Sequence, residues 1–179
     1  VNNQVTQHIL YVIVYQILAV FLVVLTLALY ERLKGDAPVT MQIATAIGII
    51  WATLVIASGM IFNIGMDNVV SLYGTDPAQA TTVWLAIESV SSAIGGGNEM
   101  LGGLWMLLIS WAALQARGLP KSLNYLGLGI GAAGILSALP RLGNVGLIFG
   151  LGQIVWFVWL GIVMLRQSQS AMQPRLSVR

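Results

Sequence analysis

Long apolar stretches broken by short polar turns occupy almost the whole chain. A membrane-spanning helix needs about 20 mostly apolar residues, because each adds about 1.5 Å across a hydrocarbon core of about 30 Å. Residues 9–30, 41–62, 122–140 and 146–165 fit that description, and 100–116 is shorter but equally apolar. The breaks between them carry helix-stopping chemistry. Glu31-Arg32-Leu33-Lys34-Gly35-Asp36-Ala37-Pro38 follows the first stretch, and Arg117-Gly118-Leu119-Pro120 follows 100–116, where Gly before Pro ends a helix.

Residues 77–94 have a different pattern. Asp76 is a helix cap, Pro77 suits the first helical position, and Gln79 stands where a capping-box partner would. Val83, Ile87, Val90 and Ile94 recur at helical spacing, while Thr81, Glu88, Ser89, Ser91 and Ser92 fall mostly off that stripe. The pattern predicts an amphipathic helix that ends at Gly95-Gly96-Gly97.

Basic residues decide how that helix lies, because Lys and Arg concentrate in cytoplasmic loops near helix ends. If 77–94 crossed the membrane, Arg32, Lys34 and Arg141 would share one side and Arg117, Lys121, Arg166, Arg175 and Arg179 the other. If it does not cross, Arg141 stands alone against all the rest. The second split is the one the rule favours. The expectation is an all-α, polytopic transmembrane helical bundle: five spans plus one amphipathic interfacial or re-entrant helix. It forms a single domain over residues 1–179 with a C-terminal tail at 166–179, its N-terminus outside and its C-terminus inside.

Composition agrees. Hydrophobic residues make up 58% and charged residues 8%, against about 25% charged in soluble domains. A small water-soluble fold cannot hide that much apolar surface, so the bilayer is the expected partner, with other membrane protein chains as further candidates. The net charge of +2, with no basic run, gives no footprint for nucleic acid. The absence of Cys excludes disulfides and thiolate metal sites. The start Val1-Asn2-Asn3-Gln4 lacks the basic region of a signal peptide.

Polar groups at membrane depth are the candidates for function, because they are costly there. Asn63 and Asp67 stand four residues apart past the second stretch, Glu88 lies inside the amphipathic helix, and Asn98-Glu99 opens the 100–116 stretch. All fall near one face of the membrane, where they would line a shared polar cavity. Simpler roles compete: Asp67 solvated, Asn98 and Glu99 capping a helix, Glu88 wet, protonated or paired across the fold. Gln16, Asn144 and Gln153 suit interhelical hydrogen bonds. Gly127 with Gly131, and Gly146 with Gly150, form small-xxx-small pairs that suit helix-packing seams or a dimer interface. Trp105, Trp111, Trp156 and Trp159 are interface anchors or lipid-facing bulk.

Several chemistries lack their residues. His8 is the single His, which excludes paired-His haem and a His-rich metal site. Lys34 and Lys121, the two lysines, fall in loops, so a Schiff base inside the bundle is not expected. Gly95-Gly96-Gly97-Asn98 lacks the GK[ST] ending of a phosphate loop. No nucleophile–His set assembles, no metal site emerges, and no cofactor is expected.

The run Gly96-Gly97-Asn98-Glu99-Met100-Leu101-Gly102-Gly103-Leu104-Trp105, the break Ala116-Arg117-Gly118-Leu119-Pro120-Lys121 and the Gly-rich Leu126-Gly127-Leu128-Gly129-Ile130-Gly131 resemble the domain of unknown function family 4386, small bacterial multi-span membrane proteins. The resemblance covers roughly residues 7–165. It implies a bacterial cytoplasmic membrane and one further span upstream, so that this chain is N-terminally shortened. It supplies no catalytic residues.

Three functions stay open. The first expectation is a non-catalytic accessory or regulatory subunit acting through membrane partners. The second is a binder or carrier of a small apolar or amphiphilic ligand, which requires a cavity lined by Glu88 and Glu99. The third, an enzyme using paired carboxylates, is the weakest.

Overall fold

A computed structural model describes residues 12–96, 98–139 and 141–176, with side chains for 15–94, 99–139 and 141–167, together with Thr6 and Ile9. Every regular element among them is helical. A π-helical turn, Val12–Ile17, leads into α1 (Leu18–Leu33). Then come α2 (Pro38–Tyr73), α3 (Pro77–Gly96), α4 (Asn98–Ala116) and α5 (Lys121–Ser137), a 3-10 turn (Gly143–Val145), and α6 (Gly146–Leu176).

The helix ends follow local chemistry. Pro38 occupies the first turn of α2, where its missing N–H costs nothing. Asp76 caps α3 as its position predicts: its Oδ1 accepts from the backbone N–H of Ala78 at 3.1 Å and of Gln79 at 3.0 Å. The α4–α5 connection turns through Arg117, whose φ of 51° is the left-handed conformation that side chains rarely adopt.

Two expectations change in length. The second stretch runs on past residue 62 to Tyr73 as one helix of 36 residues, about 54 Å long. The supposed tail continues α6 to Leu176. Four helical stretches are long and apolar enough to cross a membrane: Tyr15–Leu33, Pro38–Tyr73, the combined run Pro77–Ala116, and Gly143–Gln167. The stretch expected over 122–140 becomes α5, which has 17 residues and stops at Ser137, so length alone supports four spans rather than five.

The amphipathic helix does not lie apart from the bundle. α3 packs antiparallel against the later part of α2, and α4 against its earlier part. Ser58 meets Ser91, Phe62 meets Trp84 edge-on at 5.3 Å, and further along Trp51 meets Trp105 at 5.8 Å. α3 and α4 barely touch each other, so together they form a long strip alongside α2. α5 folds back on α4, α6 packs on α5, and α1 packs on α2.

Trp105 and Trp156 are fully buried at the centre, in edge-to-face contact at 6.0 Å and 81°. The Trp156 indole donates to the Leu123 carbonyl at 3.1 Å. By contrast, Trp111 and Trp159 face outward. The outer surface is apolar: Leu147, Leu151 and Leu165 are each about two-thirds exposed, at 70%, 69% and 67%, which suits hydrocarbon and not water.

One end of the bundle gathers the basic residues. Arg32 donates to the Gly118 carbonyl at 3.2 Å and also hydrogen-bonds Gln167, so the ends of α1, α4 and α6 meet there. Lys34, Arg117, Lys121 and Arg166 belong to the same end, whereas Arg141 lies in the α5–α6 connection at the other.

Candidate ligand-binding groove

The ring of packed helices does not close. Among the described residues, no Cα atoms of α1 and α6 approach within 8 Å. Between them lies a groove of about 800 Å³, open to the side, with walls from α1 and α6 and a floor from Trp51 and Val55 of α2. This volume is within the usual range for small-molecule sites, about 300–1,000 Å³. Phe21 and Val24 stand on one wall, Ile154 and Val158 on the other, and each is more than half exposed.

Among the described lining residues the polar groups are few: Tyr15, Glu99 and Gln153. Glu99 comes from the first turn of α4, at the end of the groove away from the basic cluster. A Cβ added at Gly146, the first residue of α6, would sit 2.8 Å from the Glu99 Cδ, so the carboxyl group lies against the positive dipole end of that helix. Aromatic rings close in one turn further along α4. A Cβ on Gly102 would meet Phe149 at 2.6 Å and Trp51 at 2.7 Å, and those two rings are 6.4 Å apart. Among the described residues the Glu99 side chain has no hydrogen bond and no ion pair.

The other sequence candidates are scattered. Glu88 is exposed on α3 and is not among the described residues that line this groove with Glu99. Asp67 is exposed near the far end of α2. Asn63 is half-buried there, its Oδ1 without a partner among the described residues. The Asn98 side chain and His8 lie outside the described residues. Gln153 faces the groove, Gln16 is half-buried near Gly59, and Asn144 is exposed.

The glycine pairs divide. Gly127 packs against Ser110 and Trp156, and Gly131 against Gly103 and Leu107, forming the α4–α5 seam. Gly146 receives Glu99. Gly150 meets nothing within 4 Å and opens onto the groove, so it belongs to no seam. Sequence reasoning missed Trp51, Phe149 and Phe157 as lining residues, because nothing in their spacing marks the gap between α1 and α6.

Apolar helices of spanning length around a tryptophan core, with a lateral groove, define a helical membrane protein. The chain belongs to the family described as Domain of unknown function (DUF4386), whose model matches residues 1–163. No curated protein and no solved structure matches it.

Proposed function

We propose that this is a non-catalytic membrane protein that holds a single-chain amphiphile in the groove between α1 and α6. One observation carries this: an apolar slot of about 800 Å³ with a carboxyl group at one end. A bundle filled throughout with side chains would have left no such room. The groove does not bring Glu88 and Glu99 together, so it gives no support to a paired-carboxylate enzyme. An accessory-subunit role is compatible with ligand binding, but no feature of the groove calls for it.

The same reading gives an orientation. On a reading with five helical passes, the basic-residue rule favours Arg32, Lys34, Arg117, Lys121 and Arg166 on the inside of a bacterial cytoplasmic membrane and Arg141 outside. The N-terminus is then outside and the C-terminus inside. At about 54 Å, α2 exceeds the hydrocarbon core even at a tilt of about 40°. Its later part and α3 therefore rise beyond the core on the outer side as a helical hairpin, which leaves Glu88 in water.

Photolabelling with a diazirine-tailed alkyl maltoside tests the groove. Saturable adducts should concentrate on Phe21, Val24, Ile154 and Val158. Gly150 and Gly161 both line the groove and have nothing within 4 Å, so a large side chain there fills the slot without striking backbone. Gly150→Phe and Gly161→Phe should abolish the saturable adducts. Labelling spread evenly over Leu147, Leu151 and Leu165, and unchanged in both variants, defeats the proposal.

A further inference from the structure

The chemistry at the closed end of the groove says what kind of head group it takes. Glu99 brings a carboxyl group with no hydrogen bond or ion pair among the described residues. Among the described residues, no Lys, Arg or His lines the groove. Arg141, in the connection at the same end, makes no ion pair with Glu99. One turn along α4 from Glu99, the rings of Trp51 and Phe149 meet over Gly102, their centroids 6.4 Å apart. A carboxylate one turn from two aromatic rings, with no cation among the described lining residues, favours positive charge: the carboxylate attracts it through its charge and the rings add their quadrupoles. An anionic head group would meet like charge and find, among the described lining residues, only the side-chain donors of Tyr15, Trp51 and Gln153.

We infer that the groove selects a cationic amphiphile, with its ammonium group held between Glu99, Trp51 and Phe149 and its tail running between α1 and α6 toward Met164. This rests on the groove being a ligand site, and it adds the charge of the ligand. The apolar walls set the tail and the Glu99 end sets the head, so the two can be tested apart.

The probes are four amphiphiles with the same tetradecyl tail and different heads: trimethylammonium, sulfobetaine, sulfate and maltoside. Each competes against the diazirine-tailed maltoside on the full chain in detergent. Trimethylammonium should displace the photoprobe at about tenfold lower concentration than sulfate. Glu99→Gln should erase that difference while maltoside still competes, and Glu99→Asp, which keeps the charge, should keep the order. Trp51→Leu should shrink the preference without reversing it. Equal competition by all four heads overturns the cationic selection and leaves the groove standing. A preference for sulfate overturns it outright. Failure of every amphiphile to compete, together with labelling of Gly150→Phe at the wild-type level, removes the groove itself. Crosslinks from the groove walls to a second polypeptide, in place of amphiphile adducts, would also overturn it by assigning the slot to a helix.

Discussion

Gly103 on α4 and Gly131 on α5 face each other so closely that a Cβ on Gly103 would come within 2.6 Å of the Gly131 carbonyl oxygen, and one on Gly131 within 2.7 Å of the Gly103 carbonyl oxygen. Backbone touches backbone, and neither side has a flexible group that can move away. In a membrane, such close approach at small residues supplies the association that hydrophobic burial supplies in water.

Gly103→Ala should therefore destabilise the bundle by about 1–3 kcal/mol through overpacking. Thermal unfolding in detergent reads this as a lower midpoint. Gly129→Ala is the control on the same α5 helix, since nothing lies within 4 Å of that position. It should leave the midpoint unchanged or raise it slightly, because Ala favours helix over Gly. Equal losses from the two substitutions would contradict the seam.

Ser58 and Ser91 fasten α2 to α3 reciprocally. The Ser58 hydroxyl donates to the Ser91 carbonyl at 2.9 Å and the Ser91 hydroxyl to the Ser58 carbonyl at 3.1 Å, with both residues buried. A double-mutant cycle with Ser58→Ala and Ser91→Ala should give a coupling near 0.6 kcal/mol, and at most about 1.7 kcal/mol. Zero coupling would mean that the two helices do not meet there.

The native chain has no thiol, so single cysteines report sidedness cleanly. Lys121→Cys should react with an impermeant maleimide only from the cytoplasmic side. Arg141→Cys and Glu88→Cys should react only from the outer side. Labelling of Lys121→Cys and Glu88→Cys from the same side would refute the five-pass topology.

Gly146→Ala separates the binding site from the scaffold. The added methyl would strike the carboxyl end of Glu99, a flexible side chain, so the group shifts at little cost in stability. Head-group preference in the amphiphile competition should weaken while the unfolding midpoint holds. Loss of both together would make Gly146 a packing position only.

Much of the scaffold was legible in the sequence because each feature has a local cause. Asp76 before Pro77 marked the start of α3, and Gly118-Leu119-Pro120 marked the break before α5. Most of the basic residues gather at one end, where Arg32 meets Gly118 and Gln167, because charge placement depends on connection order. What the sequence hid depends on distant neighbours. Polar Asn63 and Asp67 look like the end of a span, yet α2 continues through them, because α3 covers that segment through Phe62 and Gly65. Gly150 stands four residues after Gly146 and so looked like half of a seam. Its role depends on whether α1 reaches it, and it does not. Glu99 was visible as a candidate, but its aromatic neighbours come from α2 and α6 and share no sequence pattern with it.

The unbroken course of α2 from Pro38 to Tyr73 has a mechanical consequence. One half of this rod packs against α3, and the other carries Trp51 and Val55 at the floor of the groove. Because a single continuous helix joins the two, a displacement at the Gly74–Asp76 tip is carried along the rod to the groove floor.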